Sequence, residues 1–253
     1  MLDVNENKAI SDVNENKEIL DVNKNEKILD VNKNEKILDV NEIKKIKAVV
    51  FDCDGVLFDT ALANRMYYDT LLDHFGKQRL DDEQFRHVHM FTVKEALHYL
   101  FPEMSSIDMV NVYAFMKTMG YHRFIQYMQA EPGLKELLDD LKKAGYTRCI
   151  ATNRTNTMAD VLKQYDMEPL FEMVVTAADV ENPKPAPDEL LKIIAALNLK
   201  PEQILFVGDS EYDQLAAKAA GTWFAAFKNP SLIAHYHAVS MADLGNMLGL
   251  RTK

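Results

Sequence analysis

Short apolar runs alternate with helical segments from residue 47 onwards, and this alternation constrains the fold more than any other feature of the chain. Helical spacing is clear in segments such as LKELLDDLKKAG and YDQLAAKAAG. Five short runs have the apolar, β-branched character of strands covered on both faces: AVVFD, TRCIATN, MVVTA, ILFVGD and WFAAF. Strands that alternate with helices are typical of parallel sheets with right-handed crossovers. We therefore predict an α/β fold with a parallel five-stranded sheet between helices, formed by residues 48–60 and 130–253.

One block interrupts this alternation. Residues 61–129 contain no convincing strand and are rich in methionine and aromatic residues, as in VKEALHYLF and VYAFMKTMGYHRFIQYM. Their apolar residues recur at helical spacing. We predict that residues 61–129 form a helical insert after the first strand.

The first 47 residues consist of nine-residue repeats: DVNENKAIS, DVNENKEIL, DVNKNEKIL twice, and a degraded DVNEIKKIK. An α-helix turns by about 100° per residue, so successive repeats face opposite sides. The odd period also alternates faces in a strand, and neither geometry gives a continuous apolar stripe. We predict that residues 1–47 form a low-complexity extension, disordered or loosely helical. The alternative is a self-association element.

Charge and cysteine content narrow the function. The formal net charge of -10 argues against nucleic acid and anionic membranes as partners, because both bind basic surfaces. The N-terminus has no apolar signal core, and no stretch approaches the length of a membrane span. Cys53 and Cys149, the two cysteines, do not provide a disulfide framework. We expect a cytoplasmic protein with a small-molecule substrate and no nucleic-acid or membrane partner, and homo-oligomerisation remains open.

Polar side chains stand where the predicted strands end. They are Asp52 and Asp54 after the first strand, Thr152 and Asn153 at the second, Lys184 in the loop after the third, and Asp209 after the fourth. In open parallel sheets ligands bind beyond the carboxyl ends of the strands, so we expect these residues to converge. Crowded carboxylates suit Mg²⁺, whereas a hydroxyl, helix-start N–H groups and a lysine suit a phosphate. Asp213 lies four residues after Asp209 at a helix start, so both can face this edge.

Each feature also has a structural interpretation. The pattern D-x-D-G occurs in Asx turns and in calcium-binding loops, and Thr152 or Asp209 could cap a helix. Lys184 could be a solvated charge. Cys53 is expected to point away from the two flanking acids and to serve in packing, and Gly55 is expected to permit a tight backbone path.

Four motifs in order resemble those of the haloacid dehalogenase-like hydrolase superfamily: DCDGVLFDT, IATN, NPKP and VGDSEYD. The likeness covers residues 47 to 240. The position of the helical insert, between the first and second motifs, is similar to the branch that contains phosphoglycolate phosphatases and β-phosphoglucomutases. The resemblance implies a Rossmann-like core, a phosphorylated small metabolite as substrate, and Mg²⁺ as cofactor.

The resemblance also implies a role for each matching residue. Asp52 corresponds to the nucleophile that forms an aspartyl-phosphate, and Asp54 corresponds to the general acid and base. Thr152, Asn153 and Lys184 would contact the phosphate, and Thr152 and Lys184 also belong to the catalytic set. Mg²⁺ would be held by the Asp52 carboxylate, the Asp54 backbone carbonyl and Asp209, with Asp213 close to the ion or bonded to one of its waters.

The resemblance further implies that the helical insert, residues 61–129, is a cap hinged at Asp59 and Thr60, and that this cap selects the substrate. Its histidines lack the i, i+4 spacing of helical zinc ligands and are expected at the cap surface or in the substrate pocket: His87, His89, His98 and His122. Its basic residues are candidate anion contacts or, alternatively, solvated charges: Arg65, Arg86, Lys94 and Arg123. β-Phosphoglucomutase-like caps usually carry a glycine before a basic residue, and the corresponding HVHMFTVKEAL has none.

Three functions therefore remain open. The first is a Mg²⁺-dependent phosphomonoester hydrolase that acts on phosphoglycolate or a sugar phosphate. The second is a phosphomutase like β-phosphoglucomutase, which the missing glycine disfavours. The third is a catalytically silent interaction protein that assembles through its repeats.

Overall fold

The computed structural model describes residues 38–89, 91, 93–103 and 105–250. The prediction for the repeats at residues 1–37 therefore lies outside the described residues. The last residues of the predicted extension form a short helix at Val40–Ile43, and Ile46 is buried. The backbone N–H of Lys47 donates to the carbonyl of Gln203, which leads the chain into the first strand.

The strands comprise one large sheet and one two-stranded ribbon. In chain order they are β1 (Ala48–Phe51), β2 (Phe58–Asp59), β3 (Gln129–Ala130), β4 (Thr147–Thr152), β5 (Met173–Thr176), β6 (Ile204–Gly208), β7 (Trp223–Phe227) and β8 (Tyr236–Ala238). The large sheet has the order β5-β4-β1-β6-β7-β8, and every pairing within it is parallel. In β1, β6 and β7 every residue is buried, as continuous apolar runs require.

The α/β prediction is confirmed, but the count of five strands is wrong, because the sheet has six. The additional strand, β8, pairs with β7 at the edge of the sheet. It is only three residues long and its first two residues, Tyr236 and His237, are not buried. A short edge strand of this kind has no apolar run by which a sequence pattern could reveal it.

Ten α-helices lie in the described part of the chain. They are α1 (Val40–Ile43), α2 (Ala61–His74), α3 (Asp82–His89), α4 (Val93–Leu100), α5 (Ser106–Met119), α6 (Leu134–Lys143), α7 (Met158–Gln164), α8 (Asp188–Leu197), α9 (Glu211–Ala220) and α10 (Met241–Met247). None of these helices combines the length and the apolar content that crossing a bilayer requires.

Helices cover both faces of the large sheet. The apolar stripe of α6 shows how the sequence specifies this: Leu134, Leu137, Leu138 and Leu141 recur at helical spacing and are all buried. Helix α6 packs against β4 and α10, whereas α8 and α9 pack against each other and against strands of the sheet. The core beneath α8 and α9 joins their apolar residues to strand residues such as Val50 and Phe206.

Helices α2 to α5 lie between the two strands of the ribbon and have a core of their own. Its buried residues include Leu71 and Leu72 of α2, Val88 of α3 and Leu97 of α4. The ribbon pairs β2 with β3 antiparallel, with Phe58 opposite Ala130 and Asp59 opposite Gln129. The chain therefore leaves the sheet region and returns to it through two neighbouring strands. The second of these, Gln129–Ala130, is a strand that the sequence pattern did not reveal.

Candidate active site

The site begins where β1 ends. Asp52 follows β1 directly and its backbone N–H donates to the carbonyl of Val207 on β6, which fixes the residue at the edge of the sheet. The chain then turns sharply, with Gly55 N–H donating to the Phe58 carbonyl. Gly55 has a φ of +79°, in the left-handed region that favours glycine, so its predicted role in a tight backbone path is confirmed. Cys53 is fully buried, and its predicted role in packing is confirmed.

Lys184 is the buried centre of the site. Its Nζ donates to Asp52 Oδ1 at 2.6 Å, to Asp213 Oδ1 at 2.7 Å and to the Ala151 carbonyl at 3.0 Å. An ammonium group has three N–H donors, so these acceptors satisfy all of them. Burial opposes the charge, but the adjacent Asp213 and Asp52 outweigh it and raise the pKa of Lys184 above its ordinary value. Lys184 is therefore a fixed charge within the site.

Asp213 is positioned by the first turn of α9. Its Oδ2 accepts hydrogen bonds from the backbone N–H of Ser210 at 3.0 Å and from the Ser210 hydroxyl at 2.5 Å. The Ser210 Oγ accepts in turn from the Asp213 N–H at 3.3 Å, which completes a capping box. A Cβ at Gly208 would lie 2.3 Å from the Cβ of Asp213. The end of β6 thus needs a glycine to let this carboxylate approach.

Three carboxylates converge beside Lys184. One oxygen each from Asp52, Asp209 and Asp213 lies within 4.8 Å of the others. Burial, followed by the negative charges of Asp52 and Asp213, raises the pKa of Asp209 to about 8. Burial likewise raises the pKa of Asp52 to about 7, against the opposing effect of Lys184. The three carboxylates thus oppose one another's ionisation in spite of Lys184, and oxygen ligands of this kind fit a divalent cation such as Mg²⁺, which would favour their ionised forms.

The second predicted strand end contributes Thr152 and Asn153. Thr152 ends β4 and is buried, and its Oγ1 accepts a hydrogen bond from the backbone N–H of Arg154 at 3.2 Å. Asn153 Nδ2 donates to the Lys184 carbonyl at 2.9 Å. The Asn153 side chain therefore supports the loop that carries Lys184, and its predicted phosphate contact stays a prediction.

Asp54 has different surroundings from the other acids. Its side chain is 40% exposed and forms a two-pronged ion pair with Arg154. Arg154 Nε donates to Asp54 Oδ2 at 2.8 Å and Nη2 donates to Oδ1 at 2.7 Å. Burial opposes the charge of Arg154, but Asp54 outweighs it and raises the pKa of the guanidinium. No sequence pattern indicates a role for Arg154, although it lies only two residues after Thr152 in the TNRTN stretch.

Asp54 lines a cavity of about 710 Å³. A second cavity, of about 970 Å³, lies elsewhere along α4 and α5. The walls of the cavity that contains Asp54 come from both sides: residues 153–157 follow β4, whereas Asn64, His89 and Tyr121 belong to the cap. The Tyr121 hydroxyl donates to Asn64 Oδ1 at 2.6 Å, and Asn64 Nδ2 lies 3.3 Å from His89 Nδ1. Burial lowers the pKa of His89, which favours the neutral imidazole.

The other candidate residues of the cap are distributed around it. Two of the four histidines, His89 and His122, line the cavity that contains Asp54, and His98 lines the larger cavity along α4 and α5. None of the four basic candidates is among the described residues that line this cavity. Arg65 instead pairs with Asp82 at 2.8 Å. Within the described residues, the one cluster suited to a metal consists of aspartates and includes no histidine.

Residues 49–227 match the sequence model of a family described as haloacid dehalogenase-like hydrolase. The chain is 29% identical over 182 residues to the pyrophosphatase PpaX of Bacillus cereus (strain Q1), an alignment that covers 72% of this chain and 82% of the relative.

Two solved structures are also similar to this chain. The chain is similar to a crystal structure of a HAD-superfamily hydrolase of subfamily IA from Geobacter sulfurreducens, with 38% identity and a TM-score of 0.72 over 81% of this chain and 97% of the other. It also shares its fold with a β-phosphoglucomutase from Clostridium difficile, with 21% identity and a TM-score of 0.64 over 81% and 97% of the two chains.

Proposed function

The chain belongs to the haloacid dehalogenase-like hydrolase family, and on this premise we propose that it is a Mg²⁺-dependent phosphomonoester hydrolase. The substrate class is a small phosphorylated metabolite, phosphoglycolate or a sugar phosphate. One observation carries the proposal: Lys184 bridges Asp52 and Asp213 in a buried site, with the Asp209 carboxylate alongside. A buried ammonium next to a nucleophile and a cluster of carboxylates is suited to binding a charged phosphoryl group.

In the first step Asp52 attacks phosphorus. Its Oδ1 is held by Lys184, so Oδ2 is the oxygen available to form the new O–P bond. As that bond forms, the bond between phosphorus and the leaving oxygen breaks, and the leaving oxygen takes a proton from Asp54. The alcohol departs and the phosphoryl group remains on Asp52.

In the second step Asp54 takes a proton from water. The water oxygen attacks phosphorus, the bond to Asp52 breaks, and inorganic phosphate leaves with the carboxylate restored. Lys184 balances negative charge between Asp52 and the phosphoryl oxygens, and Thr152 would donate a hydrogen bond from its hydroxyl to a phosphoryl oxygen. Asp52, Asp209 and the backbone carbonyl of Asp54, with Asp213 close by, would hold Mg²⁺, which would supply further positive charge to the site.

A screen for phosphate release over phosphorylated metabolites, with and without Mg²⁺, tests the proposal. Asp52→Asn should lower kcat by about 10⁴-fold or more, because the amide cannot form the acyl phosphate. Asp73→Asn is the matched control, since Asp73 lies on the exposed surface of the cap in an ion pair with Arg79. Undiminished turnover by the Asp52→Asn enzyme would eliminate Asp52 as the nucleophile.

The same assay separates hydrolase from mutase. Glucose 1-phosphate is incubated with the enzyme and both products are followed over time. Free phosphate that accumulates in step with substrate loss supports hydrolysis, whereas an isomerised phosphoester without free phosphate would establish a mutase.

A further inference from the structure

The ion pair between Asp54 and Arg154 limits what Asp54 can do in this arrangement. Both carboxylate oxygens of Asp54 accept hydrogen bonds from one guanidinium. If Asp54 exchanges a proton with the leaving group and with water, as the proposed function requires, one of these oxygens must become accessible. The arrangement is therefore a resting one, and Arg154 needs another anionic partner when it releases Asp54.

The cavity supplies positive charge for such a partner. Among the described residues that line it, Asp54 is the single carboxylate, whereas Arg154 and Lys117 are cationic. A substrate with an oxyanion on its leaving group would offer Arg154 the same two-pronged geometry as Asp54, because guanidinium pairs equally with carboxylate and phosphate. Binding would then replace the pair between Arg154 and Asp54 by a pair between Arg154 and the substrate oxyanion, so that the buried guanidinium stays paired.

Contacts other than Asp54 hold Arg154 in the cavity wall. Its guanidinium carbon lies 5.0 Å from the centre of the Tyr121 ring, within the range of a cation–π interaction. Its Nη1 also donates to Thr157 Oγ1 at 3.2 Å. Tyr121 is fixed in turn through its hydroxyl to Asn64 of α2. Arg154 therefore keeps its position at the junction of core and cap when Asp54 is released.

We propose that Arg154 forms a subsite for a second oxyanion on the leaving-group side of the substrate, and that this oxyanion displaces Asp54 from the guanidinium. The inference rests on the proposed hydrolase function and narrows its substrate class to phosphoesters or phosphoanhydrides with a carboxylate or phosphate close to the scissile bond. Neutral sugar phosphates lack this group and leave Arg154 paired with Asp54.

Three substrates test the subsite: phosphoglycolate, which carries a carboxylate; pyrophosphate, which carries a second phosphate; and 2-hydroxyethyl phosphate, which carries neither. The wild-type kcat/KM should favour at least one of the first two over the third by about 100-fold, the size expected for a partly buried charge pair. In Arg154→Gln this ratio should fall to within about fivefold of unity, and Arg154→Lys should retain part of it. The preferred anionic substrate shows whether the subsite takes carboxylate or phosphate.

Arg79→Gln is the matched control. Arg79 forms a similar two-pronged pair with Asp73, with Nε 3.0 Å from Oδ1 and Nη2 2.6 Å from Oδ2, but on the exposed surface of the cap. This variant should keep the wild-type ratio, and thermal unfolding should verify that each variant folds.

Calorimetric binding of the same ligands keeps the test independent of turnover. Asp52→Asn should bind the preferred anionic ligand more tightly than 2-hydroxyethyl phosphate, and adding Arg154→Gln should abolish the difference. Absence of hydrolysis of every metabolite in the screen would overturn the proposed function but not the binding result. An equal loss of kcat/KM on all three substrates in Arg154→Gln, or an unchanged binding preference, would overturn the subsite.

Discussion

Asp52 and Asp54 flank the same cysteine but have different surroundings. We call the buried group of Lys184 with Asp52, Asp209 and Asp213 the floor of the site. The ion pair of Asp54 with Arg154, beside Tyr121, is its wall. Asp52 is buried at the end of β1, and its partner Lys184 makes all its contacts with residues of the sheet region. Asp54 is held by Arg154, which lies against Tyr121 of the cap. The floor is fixed by strand ends, whereas the wall depends on how cap and core meet. The buried contacts of Asp52 are therefore made without the cap, whereas the ion pair of Asp54 lies against a cap residue.

The largest effect is expected from Lys184→Met, which removes the buried ammonium group from the floor of the site. The change leaves the buried Asp52 and Asp213 side by side without a counter-charge, which should cost about 3–5 kcal/mol of unfolding free energy. Phosphate release should fall by about 10³-fold or more, because the charge next to the phosphoryl group is lost. Urea unfolding and steady-state kinetics provide the measurements. Activity within tenfold of wild type would show that Lys184 is structural only.

Gly55→Ala tests how closely the floor is packed. A Cβ at this position would lie 2.0 Å from Asp209 Oδ2, so the carboxylate must move. We expect a stability loss of about 1–3 kcal/mol and a fall in kcat of about 100-fold, since small displacements of reacting groups are costly.

Gly76→Ala is the matched control for that substitution. Gly76 has a similar positive φ of +64°, but a Cβ there would meet nothing within 4 Å. It should cost about 1 kcal/mol for the backbone alone and leave kcat unchanged. Equal rate losses in the two variants would contradict the close approach to Asp209.

The raised pKa of Asp209 predicts how stability depends on pH. The folded pKa is about 8 against an ordinary 3.8, so between these values the folded protein keeps a proton that the unfolded chain has lost. Stability without metal should therefore fall as pH rises from 5 to 8. Mg²⁺ requires ionised carboxylates, so its stabilising effect should grow over the same range.

Thermal unfolding in EDTA and in Mg²⁺ measures both effects. Asp209→Asn should reduce the metal-free pH dependence and leave the part that comes from Asp52, whose pKa is also raised. Asp73→Asn should not, because the hydrogen bond from Arg79 holds the Asp73 pKa below its usual value. A metal-free stability that rises between pH 5 and 8 would contradict the assignment.

The smallest effect on kcat/KM is expected from a substitution of Tyr121, in the wall of the site. Tyr121→Phe removes the hydroxyl that donates to Asn64 but keeps the ring beside Arg154. The change should lower kcat/KM by less than about fivefold, whereas Tyr121→Leu, which also removes the cation–π contact, should lower it further. A larger loss in Phe than in Leu would show that the hydroxyl, and not the ring, positions Arg154.

The sequence predicts that the residues of the floor lie close together, because parallel strands bring their carboxyl ends to one edge of the sheet. That rule alone grouped Asp52, Thr152, Lys184 and Asp209, and the i, i+4 spacing added Asp213. Their catalytic roles stay predictions until activity is measured. The sixth strand escaped prediction because Tyr236–Ala238 is short and mostly unburied.

The wall could not be predicted for a different reason. Arg154 looks like any surface cation, since its partner Asp54 is 100 residues away in the chain. Helical periodicity shows which faces of the cap pack together, but it does not show which residues meet the core. The contact between the Arg154 guanidinium and the Tyr121 ring depends on that assembly.

The two-residue ribbon of β2 and β3 has a consequence for how such proteins diversify. Because both ends of the intervening segment lie side by side, its length and content can vary without pulling the sheet apart. A grafted segment from another hydrolase would need only matching strand ends at Phe58–Asp59 and Gln129–Ala130. The ribbon thus makes this part of the chain a replaceable module, and chimeras joined there should keep Asp52, Lys184 and Asp213 in place while changing the contacts around Arg154.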